Sequence, residues 1–266
     1  MCVPDAEGFP PALADVRLWF AALDQVPAHE FERYRSWFTA AESRQFSGFL
    51  SERRRQEFII GRGLARIALG GHFNVEPHRL EFEADAHGKL TVGIPLEARG
   101  AHFSISHTQD IVVLALCGKY PVGVDIERIA ERVEPVALSE RFFSESEHEV
   151  LTKLEGASQR DRFFTMWTLK EALGKAHGLG VLSGTDTTHF DLIEPGKLIA
   201  LCWEQQFYEA WIGTAKPGFD HRLSLCVLCD DAVSLSVRVE RNQTAVIGLS
   251  ELDWVEGRLR NRPIQT

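Results

Sequence analysis

Gly123-Val124-Asp125-Ile126-Glu127 sets two carboxylates two residues apart in a stretch whose apolar residues recur at every second position. Val122, Val124 and Ile126 fall on one parity, and Gly123, Asp125 and Glu127 on the other. That period of two predicts a β-strand with one buried face. Side chains at i and i+2 of a strand share a face, so both carboxylates point the same way, with Cα atoms roughly 7 Å apart. Such a pair suits one hard cation such as Mg²⁺, which takes oxygen ligands and keeps several waters. Gly123 carries no side chain and is expected to leave room on that face for a ligand. A solvated strand face has the same pattern, so the pair gains meaning only from its company.

That company begins with Trp167-Thr-Leu-Lys-Glu-Ala-Leu-Gly-Lys175, inside a helix expected over 160–177 and ended by Gly178 and Gly180. Trp167, Glu171 and Lys175 stand at i, i+4 and i+8 and therefore line one side of it, with Lys170 at its flank. An ordinary Glu–Lys surface pair explains one carboxylate and one ammonium, but not an indole and two lysines around a single carboxylate. With Glu171 as a third ligand, three carboxylates and two lysines suit a metal-bridged diphosphate.

Upstream, Phe103-Ser-Ile-Ser-His107 reads as a strand whose end presents the Ser106 hydroxyl and the His107 imidazole, both able to donate to phosphate oxygens. A strand-terminal histidine satisfied by a nearby carbonyl fits equally well. A serine hydrolase does not fit, because adjacent strand residues face opposite ways and no G-x-S-x-G elbow accompanies them. Arg53, Arg54, Arg55, Arg62 and Arg66 crowd a helix expected after Ser51 as N-cap, and Arg55, Arg62 and Arg66 share a face by spacing. They are either a solvated surface or a local phosphate site.

The remaining pattern is mixed. A strand is expected over 16–20, a short helix over 39–50, and a longer helix after Ser51 that Gly70-Gly71 stops or weakens. Strands are expected over 80–84, 90–94 and 102–107, with 111–117 as a central strand buried on both faces. Ser144-Glu-Ser-Glu147 forms a capping box. The stretches 189–193, 198–203, 209–214, 223–228 and 233–239 read as further strands. This is an α+β chain in two halves joined near 118–122.

The 266 residues are 44% hydrophobic and 25% charged, enough apolar material for a sizeable core. A net charge of −9 argues against a broad nucleic-acid surface, so any anion site must be local. The odd set Cys2, Cys117, Cys202, Cys226 and Cys229 reads as buried thiols, not as a disulfide framework or a zinc site. No signal peptide or membrane span is read, and the cytoplasm is the expected compartment.

Taken together, these pieces resemble the Sfp-type 4′-phosphopantetheinyl transferases over roughly residues 16–193. The matching residues are the Arg-rich helix, Gly88-Lys89, Phe103-Ser-Ile-Ser-His107 and Gly123-Val-Asp-Ile-Glu127. They continue with Arg141-Phe-Phe-Ser144 and Phe164-Thr-Met-Trp-Thr-Leu-Lys-Glu-Ala172, followed by Lys175 and Gly178. The resemblance implies a pseudo-dimer of two similar α+β halves, here 1–119 and 120–240, with the site in the cleft between them and 241–266 as an extension. It implies transfer of the phosphopantetheine arm of coenzyme A to a serine of an apo acyl or peptidyl carrier protein, releasing 3′,5′-ADP. By the same resemblance Asp125, Glu127 and Glu171 hold Mg²⁺, and Glu127 and Lys175 act in catalysis. Ser106, His107, Lys170 and Lys175 contact coenzyme A phosphates, Gly88 and Lys89 flank the adenine, and Arg55 and Arg62 add basic contacts. A monomer is implied, because both halves of the site lie in one chain, and the carrier is expected to dock near Arg141-Phe-Phe-Ser144. Leu90, Ser104 and Gly174 depart from the family's usual proline, asparagine and bulkier residue. The competing readings are a metal-dependent phosphoesterase acting on a coenzyme A-like diphosphate and a non-enzymatic coenzyme A-binding module.

Overall fold

The computed structural model describes residues 13–86, 88–95, 100–178, 189–194, 197–201, 210–217, 220–229, 234–240 and 255–259. Gly180, Cys2, Cys202 and most of the expected 241–266 extension lie outside them. The helices are α1 (Ala28–Arg35), α2 (Ala40–Ser47), α3 (Glu52–Phe73), α4 (Pro135–Phe142), α5 (Glu145–Thr152) and α6 (Gly156–His177). The strands of the first half are β1 (Leu13–Ala22), β2 (Glu81–Ala84), β3 (Leu90–Ile94), β4 (His102–Thr108) and β5 (Ile111–Cys117). They continue with β6 (Val122–Arg128), β7 (His189–Glu194), β8 (Lys197–Leu201), β9 (Ala210–Ala215), β10 (His221–Val227), β11 (Ser234–Val239) and β12 (Val255–Leu259). The fold is mixed α+β, as expected. Among the described residues no helix is long and apolar enough to cross a membrane.

Two four-stranded sheets carry the architecture, one ordered β11-β1-β5-β4 and the other β12-β9-β10-β6. Strand parity sorts the core into three layers. Val16, Leu18 and Phe20 of β1 and Val113 and Ala115 of β5 pack against Val122, Val124 and Ile126 of β6 and Leu223 and Leu225 of β10, filling the space between the sheets. The opposite parity of the first sheet, including Trp19, Val112 and Leu114, packs under Ile60, Leu64 and Ala68 of α3. In the second sheet Ile212 and Cys226 pack under Leu169, Ala172 and Ala176 of α6. The order is helix, sheet, sheet, helix.

The sheets also meet edge to edge. Strand β6 ends the second sheet, so the backbone N–H groups on its outer side lack a strand partner, a cost when buried. Side chains of β4, the end of the first sheet, supply what is missing. Ser104 Oγ accepts from Val124 N at 3.1 Å, Ser106 Oγ from Ile126 N at 3.3 Å and Thr108 Oγ1 from Arg128 N at 3.1 Å. A ladder of hydroxyls thus stands where a strand pairing would be.

Several sequence expectations change. The Asp125/Glu127 strand is not half-solvated: Asp125 is only 4% exposed. Nor does Gly123 leave room for a ligand. A Cβ there would stand 1.9 Å from Ala172 O and 2.4 Å from Ala176 N, so the glycine lets the α6 backbone lie directly on β6. Gly70-Gly71 does not stop α3, which runs on to Phe73 and ends at Asn74 in the left-handed region (φ 53°). At Gly70 a Cβ would press to 2.6 Å from Val75 O, and this packing of the returning chain outweighs the glycine's poor helix propensity. Ser51 is the N-cap of α3 without a side-chain cap bond, whereas Thr39 and Ser144 both close full capping boxes. Helices α1 and α4 and strand β12 were not anticipated; β12 lies antiparallel to β9. Strand β11 pairs parallel with β1, so the chain returns late to the first sheet.

Gly123→Ala is expected to destabilise the protein by about 2 kcal/mol or more, since the clash is with backbone and cannot be relieved by a rotamer. The melting temperature should drop by about 4–8 °C; an unchanged value in differential scanning calorimetry would contradict the close β6–α6 approach.

Candidate active site between β4, β6 and α6

Strand β6 and helix α6 bring together residues that the chain separates by about fifty positions. Asp125 Oδ1 accepts from Lys175 Nζ at 2.6 Å and from Ser106 Oγ at 2.8 Å, and Lys175 Nζ also donates to Ser106 Oγ at 2.9 Å. The Ser106 hydroxyl is thus a junction of β4, β6 and α6, donating to one group and accepting from two. The other Asp125 oxygen, Oδ2, is buried without a hydrogen-bond partner, and so is Glu171 Oε1. Glu127 Oε2 accepts from Thr108 Oγ1 at 3.1 Å.

Both glutamate carboxyls respond to the Asp125 charge. Burial, then the Asp125 charge, pushes the Glu127 carboxyl up to about 7, against smaller opposing effects of Thr108 and Lys175. Burial, then Asp125, lifts Glu171 to about 7, with Glu127 adding to the rise and Lys175 opposing it. One ammonium therefore faces three acids. Buried, unpartnered carboxylate oxygens in an acid-rich site fit a hard divalent cation, which takes oxygen ligands. Among the described residues, as the side chains stand, no group of three or more His, Cys, Asp or Glu is arranged to hold a metal ion.

Beside this cluster, a cleft of about 340 Å³ is lined by residues of α2, α3, β3 and β4 and of the loop carrying Phe49. Its apolar wall includes Phe49, Phe58, Leu90 and Ile105, and its polar wall includes Arg54, Glu57, Arg62 and His107. His107 follows Ser106, and burial, foremost, holds its imidazole below the usual histidine range, with Lys175 and Asp125 among the charges that act on it. The cleft and the carboxylates are therefore adjacent.

Not every expected residue joins them. Arg55 donates from Nε to Phe49 O at 3.0 Å and does not line the cleft, whereas its neighbour Arg54 does. Arg62 lines the cleft and lies 3.2 Å from Glu42. Arg66, grouped with them by spacing, is fully buried and binds both Glu42 oxygens, at 3.1 and 2.7 Å, so it ties α3 to α2. Lys170, expected near coenzyme A phosphates, is 5% exposed and pairs with Glu147 at 3.0 Å, joining α6 to the capped start of α5. Lys89 donates to Ala176 O at 2.8 Å and lies over Gly178, a cation at the carbonyl end of α6 where the helix dipole favours it. Gly88 holds a positive φ of 84° in the turn before it. Cys226 and Cys229 are buried thiols outside any disulfide, as expected.

Sequence reasoning missed Arg54, Glu57 and Thr108. The Ser104, Ser106, Thr108 alternation was a usable signal for the hydroxyl ladder. Nothing in the arginine run distinguishes Arg54 from Arg55, because that choice depends on how α3 is rolled against β4.

Comparison with known proteins bears on the same residues. Residues 121–226 match the profile of the 4′-phosphopantetheinyl transferase superfamily, a stretch that includes Asp125, Glu127, Glu171 and Lys175. A 4′-phosphopantetheinyl transferase HetI from Nostoc sp. is 32% identical over 167 residues, covering 63% of this chain and 70% of the relative. The chain belongs to the 4′-phosphopantetheinyl transferase superfamily. Another relative, the 4′-phosphopantetheinyl transferase gsp of Aneurinibacillus migulanus, is 30% identical over 59% of this chain and 63% of its own length. The 4′-phosphopantetheinyl transferase Sfp of Bacillus subtilis is 26% identical over 64% of this chain and 73% of its own. The superfamily profile covers β6 and α6, which carry the acids and Lys175, but none of the α2, α3, β3 and β4 residues that line the cleft.

The raised carboxyls predict a pH effect in the absence of metal. A carboxyl whose folded pKa lies above its unfolded value stabilises the fold at low pH, and that contribution is lost as pH rises through the folded value. For Glu171 the window runs from 4.5 to about 7. Glu171→Gln removes this loss. In EDTA it should match the parent at pH 5 and melt higher at pH 8, by an amount on the order of 2 kcal/mol. A difference that does not grow with pH would show that Glu171 does not feel the other acids.

Proposed function

We propose that the protein transfers the 4′-phosphopantetheine arm of coenzyme A to a serine of an apo acyl or peptidyl carrier protein, releasing 3′,5′-ADP. The observation that carries this reading is the Lys175–Asp125–Ser106 junction, set beside two unpartnered carboxylate oxygens and a cleft with basic side chains on its wall. A hydrolase acting on the same diphosphate would use a similar acid set, but membership of the transferase superfamily favours transfer.

In this reading Asp125, Glu127 and Glu171 hold Mg²⁺, which when bound supplies positive charge to the diphosphate. The carrier serine attacks the phosphorus that bears pantetheine, its proton passes to Glu127, and the bond to the 3′,5′-ADP oxygen breaks. Thr108 Oγ1, donating to Glu127 Oε2 at 3.1 Å, orients that carboxylate for the task. Lys175, now held by Asp125, turns its ammonium to the departing phosphate oxygens, and Ser106 keeps it within reach. Arg54, Arg62 and His107 receive the nucleotide end of coenzyme A in the cleft.

The 1–119 and 120–240 halves are read as a pseudo-dimer, supported by one long helix, α3 or α6, over each four-stranded sheet, although β11 of the second half lies in the first sheet and β12 of the second sheet lies beyond residue 240. Carrier docking near Arg141-Phe-Phe-Ser144 is supported by Phe142, which is partly exposed with Arg141 over its ring, while Phe143 is core, stacked on Phe163.

Incubation with coenzyme A, Mg²⁺ and an apo-carrier should add one phosphopantetheine to the carrier by intact mass; free phosphopantetheine with an unmodified carrier would mean hydrolysis instead. Asp125→Ala should abolish most transfer without unfolding the protein, and full activity at limiting Mg²⁺ would remove it from the site. Lys175→Ala should lower kcat/KM for coenzyme A by about 100-fold, about 2.7 kcal/mol of transition-state stabilisation. Unchanged kinetics would make Lys175 a structural partner of Asp125 only.

A further inference from the structure

We propose that Glu57 is a positioning residue that holds Arg54 and His107 together as one anion-receiving edge of the cleft. The inference rests on the reading of that cleft as the coenzyme A site. Glu57 is a carboxylate on the wall of a cleft otherwise furnished with cations, and its side chain is only 4% exposed. A negative charge so placed opposes an incoming phosphate, so it needs a reason. Its contacts supply one: the same oxygen, Oε2, lies 3.2 Å from Arg54 Nη1 and 3.3 Å from His107 Nδ1.

Those two side chains need holding. Arg54 is 57% exposed along its side chain, a long side chain with rotamer freedom to lose. Its Nη1 stands 3.2 Å from His107 Nδ1 and 3.1 Å from Nε2, near-equal distances that direct it to neither nitrogen. The arginine–histidine contact therefore does not fix either group by itself. Glu57 faces both with one oxygen and joins α3 to the end of β4. The three residues come from two elements, and Glu57 is the only one of them fully enclosed by the wall. The edge lies one residue along β4 from Ser106, whose hydroxyl meets Asp125 and Lys175.

A purely electrostatic role and a positioning role have opposite signs. Removing a negative charge beside an anion site tightens binding if charge alone matters, whereas losing the anchor weakens it. The experiment measures the Kd of 3′,5′-ADP by calorimetry and the KM and kcat for coenzyme A, in the parent protein and in Glu57→Gln, Glu57→Asp and His107→Ala. Glu57→Gln should weaken 3′,5′-ADP about tenfold, equivalent to about 1.4 kcal/mol, and raise KM for coenzyme A with kcat and carrier KM unchanged. Glu57→Asp, which keeps the charge on a shorter chain, should recover part of the loss and serves if the glutamine variant does not fold. Tighter or unchanged binding in Glu57→Gln, with weaker binding in His107→Ala, overturns the positioning role and leaves the cleft assignment standing. Unchanged binding in His107→Ala overturns the cleft assignment and the positioning role with it.

Discussion

The hydroxyl ladder between β4 and β6 is the contact on which the rest of the structure depends. Two sheets that meet at their ends face a shared difficulty, since each terminal strand carries backbone groups with no strand partner. Continuing one sheet into the other would resolve it but would also flatten the junction. Instead Ser104, Ser106 and Thr108 accept the N–H groups of Val124, Ile126 and Arg128. The hydroxyls keep the strands one side chain apart, and each has a lone pair or proton left over. Ser106 spends its own on Asp125 and Lys175, and Thr108 its own on Glu127. The seam that joins the sheets is therefore the same seam that orients the acids.

On the other side of β6 the constraint is steric. The α6 backbone lies against Gly123 so closely that no larger residue fits. This approach carries Glu171 and Lys175 down to the level of Asp125. It also buries acids that repel one another, and the cost appears as Glu127 and Glu171 carboxyls lifted to about 7. The site is thus assembled at the expense of local stability, offset by the apolar packing of Leu169, Ala172 and Ala176 beneath the helix.

Other charged groups on the same helices do the opposite work. Arg66 with Glu42 and Lys170 with Glu147 are enclosed pairs that bind helix to helix. Lys89 closes the carbonyl end of α6. From the sequence Lys170 looks like a phosphate ligand, Lys89 like a flank of the adenine, and Arg66 like part of either a solvated surface or a phosphate site, because composition and spacing do not reveal a buried partner. Position separates them: Arg66 and Lys170 are sealed against carboxylates away from the cleft, whereas Arg54 and Arg62 border it while they pair with Glu57 and Glu42.

What the chain determined by itself was local. The period of two in Val122 to Glu127, the capping boxes at Thr39 and Ser144, and the helix bearing Glu171 and Lys175 all follow from short-range backbone preferences, and the structure has them. So did the resemblance carried by those segments, because motifs of chemistry are written in contiguous residues. Tertiary structure alone decided that Gly123 serves a helix and not a ligand, that Arg54 and not Arg55 borders the cleft, and that Ser106 is a junction. It also carried β11 back to β1. Each of these depends on which distant element lies opposite, a matter of packing between surfaces, and no local pattern of side chains specifies the partner across the gap.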